Sequence, residues 1–123
     1  MTTMQHMKAA MQAYVDGLNR GDAEAVIALF AEDAAIEDPI GTPPKHGQEI
    51  RDWFHQAVAM KARLALATPI RGSHGNAAAM AFTVTTEWEG RRVATRSLDV
   101  CTFDAEGRIT RLEGYWSPDD VES

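Results

Sequence analysis

The stretch "NAAAMAFTVTTEWEGRRVATRSLDVCTFDAEGRITRLEGYW", residues 76–116, decides how this chain folds. Two breaks, "EGR" and "DAEGR", divide it into three runs rich in β-branched, aromatic and small apolar residues. Such runs read as three strands joined by hairpin turns. Side chains alternate along a strand, so parity sorts each run into two faces. In the first run the even positions Met80, Phe82, Val84 and Trp88 are apolar, and Ala79, Ala81, Thr83, Thr85 and Glu87 are small or polar. In the third, Leu112, Gly114 and Trp116 lie opposite Arg111 and Glu113. The second run poses the question: Asp99 shares its parity with Thr95, Ser97, Cys101 and Phe103, while Leu98 and Val100 share the other face with Arg92 and Arg96. The arginine-bearing face is the better candidate for solvent, which puts Asp99 inside. An ionised carboxylate buried there is costly unless it is paired.

Upstream, the pattern is helical. Met4, Met7, Met11, Tyr14 and Leu18 recur at spacings of three and four, one stripe of an amphipathic helix that Gly21 can end. Asp22 is placed to cap a second short helix, "AEAVIALFA", with Val26, Ile27, Leu29 and Phe30 on its buried side. "AAIEDPIGTPPKHG" begins extended and then allows no helix, because of its prolines and glycines. A third helix fits from about Gln48 to Lys61, with Ile50, Trp53, Phe54 and Val58 on its apolar face. After Ala62 all is strand and turn. Helices first and strands afterwards predict an α+β domain with the helices on one face of the sheet.

At 123 residues and 45% hydrophobic content, the chain is expected to form one domain, residues 1–123, able to bury a core or a pocket. Twelve basic against eighteen acidic residues give a net charge of −6, with no basic run, which argues against nucleic acid as a partner. The N-terminus is too polar for a signal peptide, and no apolar run approaches a membrane span, so no membrane insertion is expected. One cysteine excludes an internal disulfide and fits a cytoplasmic location. The four histidines show no metal-ligand spacing, and "RGSHGN" lacks the pattern of a nucleophile elbow or a phosphate loop.

Three functional groups come from three separate elements. Tyr14 lies on the methionine stripe, so its phenol points inward and needs a partner. Asp99 is the inward acid of the strand. Glu37 and Asp38 precede Pro39, which biases Asp38 toward an extended backbone. Burial raises the pKa of a carboxylic acid, and a protonated Asp99 is a hydrogen-bond donor instead of a charge. Beside Tyr14 it makes a two-donor site for an oxygen on which negative charge develops. Asp38, nearer solvent, stays ionised and able to take a proton from carbon. An acid and a base separated by environment point to proton transfer next to a carbonyl.

With these residues the sequence resembles the ketosteroid isomerases (steroid Delta-isomerases), a family with the nuclear-transport-factor-2-like cone fold. The resemblance runs along nearly the whole chain, through "AYVDGLNRGD", "ALFAEDAAIEDPIG", "AAMAFTV", "LDVCTFDAEGRI" and the terminal "YW". It implies three N-terminal helices packed on a curved, mainly antiparallel sheet enclosing an apolar pocket. It further implies that Asp38 shuttles a proton within a Δ5-3-ketosteroid to give the conjugated Δ4 ketone, while Tyr14 and a neutral Asp99 hold the dienolate oxygen. A carboxylic acid kept neutral for that purpose is already known chemistry of this family. Phe54, Phe82, Val84, Leu112 and Trp116 are then expected to line the slot for a steroid or similar apolar enolisable ketone. No cofactor and no metal is implied. A homodimer is, through the sheet face carrying Arg92, Arg96, Arg111 and Glu113.

The sequence departs from the family in two places. Further tyrosines often extend the tyrosine's hydrogen-bond network, and the corresponding positions here are Phe30 and His55, so that His55 either bonds Tyr14 as a second-layer residue or faces solvent. Thr95 and Ser97 put hydroxyls into a wall that is usually more apolar. Trp53 and Trp88 read as packing, and Cys101 as a small buried hydrophobe near Asp99. Two other functions fit the same residues. One is a different enzyme on this fold, a polyketide cyclase or dehydratase. The other is a non-catalytic module that holds a small apolar molecule.

Overall fold

The computed structural model describes residues 2–123. Helix α1 (Met4–Asn19) starts where the Thr3 hydroxyl accepts the His6 N–H at 3.0 Å, and it stops before Gly21, whose φ is +73°. Its stripe Met7, Met11, Tyr14 and Leu18 is buried, but Met4 is exposed and lies across Gly72 at the surface. The Asp22 carboxylate accepts the Ala25 N–H at 3.0 Å and caps α2 (Ala23–Ile27). That helix is shorter than its sequence pattern suggests. Phe30 opens strand β1 (Phe30–Glu37) instead of ending the helix, because the Leu29 carbonyl already accepts the Ile109 N–H at 2.9 Å. A spacing of 26, 29 and 30 suits a helix as well as a turn into a strand. Pairing with a distant strand settled the choice.

The rest follows as β2 (Lys45–His46), α3 (Gln48–Ala59), β3 (Arg63–Leu66), β4 (Ala77–Trp88), β5 (Arg91–Phe103), β6 (Ile109–Tyr115), a 3₁₀ turn at Pro118–Asp120, and β7 (Val121–Glu122). The order across the sheet is β2-β1-β6-β5-β4-β3, with β7 added beside β5. The three strands expected from residues 76–116 are β4, β5 and β6. The short strands β2 and β3 form the two edges, beside β1 and β4, and β7 pairs with β5 at Ala94 and Thr95. The sheet is mixed, since β1 runs parallel to β6 while the other pairings are antiparallel. Glu89 and Gly90 both take positive φ, 52° and 77°, and make a two-residue turn between β4 and β5. Asp104 closes the next turn by accepting the N–H groups of Glu106 and Arg108, each at 3.0 Å.

The curled sheet and the three helices enclose one core. Met80, Phe82, Cys101, Phe103, Ile109 and Leu112 from the sheet meet Met7, Met11, Tyr14, Val26 and Phe54 from the helices. The parity of β5 matches its burial: Asp99, Cys101 and Phe103 are buried, and Leu98 is exposed. Trp88 departs from the packing role expected of it. It stands at the β4–β5 turn and is exposed.

Candidate active site

Between the helices and the inner sheet face lies a cavity of about 270 Å³. That is near the lower end of small-molecule pockets, about 300 Å³. Leu18, Trp53, Phe54, Leu64, Phe82 and Val84 give it apolar walls, and Tyr14, Asp38 and Asp99 all reach it. The Tyr14 and Phe54 rings meet edge to face with centroids 5.7 Å apart, and the Phe30 ring lies 6.5 Å from Tyr14. These aromatic contacts hold the phenol in α1.

Asp38 is placed by strand pairing. Glu37, the last residue of β1, pairs with Glu113 of β6, and the Ile40 N–H donates to the Gly114 carbonyl at 2.8 Å. Asp38 therefore crosses over Gly114, and a Cβ added at Gly114 would overlap its carboxyl group. Gly114 is the cross-strand partner of Asp99. One missing side chain thus leaves a notch where the carboxyl from the loop after β1 meets the carboxyl from β5. The Trp116 indole N–H donates to Asp38 Oδ1 at 2.8 Å. Glu37 turns the other way, accepting from Arg111 at 3.0 Å and from the Gly41 N–H at 2.8 Å. Of the two neighbouring acids, Asp38 is the one that lines the cavity.

The electrostatics divide the three groups. Asp99 is 1% exposed, and burial holds its carboxyl well above the ordinary carboxylate range. The charge of Asp38 raises it further, while the Ser97 hydroxyl, donating to Asp99 Oδ1 at 3.4 Å, draws it back. Burial also raises the Tyr14 phenol well above its usual value, with Asp99, Asp38 and then Cys101 adding to the effect. Asp38 is raised by burial, against the pull of the Trp116 hydrogen bond and of Lys45. Cys101 is a buried free thiol, pushed up by burial and then by Asp99.

The pocket differs from the sequence expectation at several positions. Phe54, Phe82, Val84 and Trp116 line the cavity, as do Thr95 and Ser97. Leu112 does not. It is fully buried beneath the cavity wall in the core, because its place on β6 points it at the helices two residues before the Gly114 notch. His55 is not behind Tyr14 either. Its side chain is 54% exposed on α3, and Nε2 lies 2.7 Å from Glu24, which Arg51 also holds at 2.8 Å. One position after Phe54 on a helix is a turn of about 100°, enough to take His55 off the inner face. Leu18 and Trp53 are lining residues that the sequence reading left as core or packing, and Ala57 and Leu64 line the cavity as well. Leu18 was discoverable, since it stands one helical turn beyond Tyr14. Trp53 also carries Lys45 over its ring at 5.0 Å. Among the described residues, no group of three or more His, Cys, Asp or Glu side chains gathers as for a metal.

Three helices laid on a curled, mixed sheet, with an apolar cavity between them, define an α+β cone of the nuclear-transport-factor-2-like fold. Within that fold the chain belongs to the SnoaL-like domain family, matched over residues 11–112. It is 35% identical over 115 residues to the steroid Delta-isomerase of Nocardioides simplex, covering 94% of this chain and 93% of that protein. It is also 31% identical over 121 residues to the epoxide hydrolase LasB of Streptomyces lasalocidi. That match covers 87% of this chain and 40% of the relative's length. Among solved structures, SalBIII superposes with a TM-score of 0.90 at 27% identity over 98% of each chain. SalBIII is described as an epoxide hydrolase/cyclase-like enzyme with a role in pyran ring formation in polyether salinomycin.

Proposed function

We propose that the protein is an isomerase that converts Δ5-3-ketosteroids to their conjugated Δ4 isomers. The observation that carries this reading is the meeting of Tyr14, Asp38 and Asp99 on one apolar cavity, where burial raises the Asp99 carboxyl well above its ordinary value and raises Asp38 as well. Asp38 takes the proton from the carbon between the carbonyl and the double bond. The Tyr14 hydroxyl and the Asp99 carboxyl, both neutral, donate to the dienolate oxygen where charge develops. Asp38 then returns the proton two carbons further along, so no atom is gained or lost. Trp116 occupies Asp38 Oδ1 and leaves Oδ2 to carry the proton. An Asp38 pKa above the ordinary carboxylate value strengthens it as a base at neutral pH. The 35% identity to a steroid Delta-isomerase over nearly the full length of both chains supports the same reading. A homodimer through the outer sheet face belongs to the proposal; Leu98 and Tyr115, paired across β5 and β6, are both exposed there.

The likeness to LasB and SalBIII favours a second reading, the opening of an epoxide. A neutral Asp99 would protonate the epoxide oxygen while Asp38 takes a proton from an attacking hydroxyl. One assay separates the two. Incubation with 5-androstene-3,17-dione is expected to produce the ultraviolet absorbance of the conjugated enone, and to stop doing so in Asp38→Asn. Absence of that absorbance from a folded protein, together with consumption of an epoxy-alcohol polyether precursor, would move the assignment to epoxide opening.

A further inference from the structure

Ser97 stands two residues before Asp99 on β5, on the same inner face, and lines the same cavity. Its hydroxyl donates to Asp99 Oδ1 at 3.4 Å, and among the described residues this is the one hydrogen bond on the Asp99 side chain. The neighbouring strands offer nothing else. Asp99 pairs with Met80 on β4 and with Gly114 on β6, neither of which carries a side-chain donor. A neutral carboxyl has two unequal oxygens: one bears the proton and the other only accepts. With Oδ1 occupied as an acceptor, the proton belongs on Oδ2.

We propose that Ser97 is a positioning residue that selects the proton-bearing oxygen of Asp99 and aims that donor into the cavity. The inference rests on the reading of Asp99 as a neutral donor. A carboxyl free to rotate, or free to exchange its proton between oxygens, presents a donor to the substrate only part of the time. Ser97 removes that freedom at the level of the ground state. The titratable groups that face Asp99 are Tyr14 from α1, Asp38 from the loop after β1 and Cys101 from β5 itself. None of them is hydrogen-bonded to Ser97, so a shift in pH behaviour on removing the hydroxyl originates at Asp99, whose charge Tyr14 and Cys101 then feel.

The test is Ser97→Ala against Ser97→Thr, with 5-androstene-3,17-dione as substrate and the steroidal phenol equilenin as a mimic of the dienolate. In Ser97→Ala, kcat is expected to fall about fivefold, the factor one ordinary hydrogen bond carries, with KM nearly unchanged. Equilenin is expected to bind about fivefold more weakly. The alkaline limb of the rate profile is expected to move to higher pH, because the lost donor had favoured the ionised carboxyl. Ser97→Thr keeps a hydroxyl at that position and restores most of kcat and the limb. Unchanged or increased kcat and equilenin affinity in Ser97→Ala, while Asp99→Ala loses both, overturns the positioning role and leaves the isomerase reading standing. If Asp99→Ala also leaves equilenin affinity unchanged, both fall together.

Discussion

Asp38 Oδ1 receives the Trp116 indole N–H at 2.8 Å, whereas the adjacent Glu37 is tied to Arg111 and to the backbone of Gly41. Two acids one residue apart thus have unlike partners and unlike tasks. Asp38→Asn keeps the shape but cannot accept the proton, and kcat is expected to drop about 10²–10⁴-fold with little change in equilenin binding. Glu37→Gln and His55→Phe are the controls, since one loses a bond to a part-exposed arginine and the other a surface pair with Glu24. Both are expected within about threefold of the parent, because such pairs contribute about 0–1 kcal/mol and neither touches the cavity. A loss at Glu37→Gln as deep as at Asp38→Asn in steady-state kinetics would reassign the base. At this scale the sequence showed the three polar groups, since helical spacing aims Tyr14 inward and parity aims Asp99 inward. It did not show their partners. The Trp116–Asp38 bond spans 78 positions and the Gly114 notch exists only once β1 lies beside β6. His55 stood open between Tyr14 and solvent for a related reason: a family position names a neighbour, while the helix phase of this chain takes the side chain to solvent.

Strand β6 carries the least conspicuous requirement of the site. Gly114 faces inward between Leu112 and Trp116 and pairs with Asp99, yet it is the Asp38 carboxyl that fills the space above it. A bulky side chain there leaves the strand intact, as valine suits a strand, and denies the carboxyl its place. Gly114→Val is therefore expected to keep its circular dichroism and lose about 10²-fold in kcat, the scale of a base misplaced by about 1 Å. A kcat within about threefold of the parent would show that Asp38 does not depend on the notch. The long elements were legible because each repeats its own period: methionines and Leu18 along α1, alternation along β4 and β5. The end of α2 was not. Leu29 and Phe30 satisfy a helical spacing locally, and only the parallel pairing to β6 makes them a strand entry. Strands β2 and β7, of two residues each, carry no period at all.

Across the whole molecule, the cost of the proposed chemistry is a carboxyl placed in the middle of a hydrophobic core. Asp99 is buried beside Met80 and Cys101, under Tyr14, with Asp38 as its nearest like group. Its folded pKa is raised well above that of the unfolded chain, about 3.9. The sign follows from proton counting. Above about pH 3.9 the unfolded chain releases this proton and the native protein keeps it, so rising pH favours unfolding. The contribution is fully present below the unfolded value and is gone once pH has risen through the folded one. Within that window the slope is about 1.4 kcal/mol per pH unit. Asp99→Asn retains the shape and the capacity to donate but cannot ionise in either state. Relative to the variant, the parent is expected to lose stability steadily as pH rises from about 5, until it passes the raised native pKa of Asp99. Urea unfolding of both proteins across that range, with m-values checked for equality, measures the difference directly. Asp38 is present in both and cancels. Parallel stability curves would mean that Asp99 ionises in the native state as readily as in the unfolded chain, and an ionised Asp99 could not hold a dienolate oxygen.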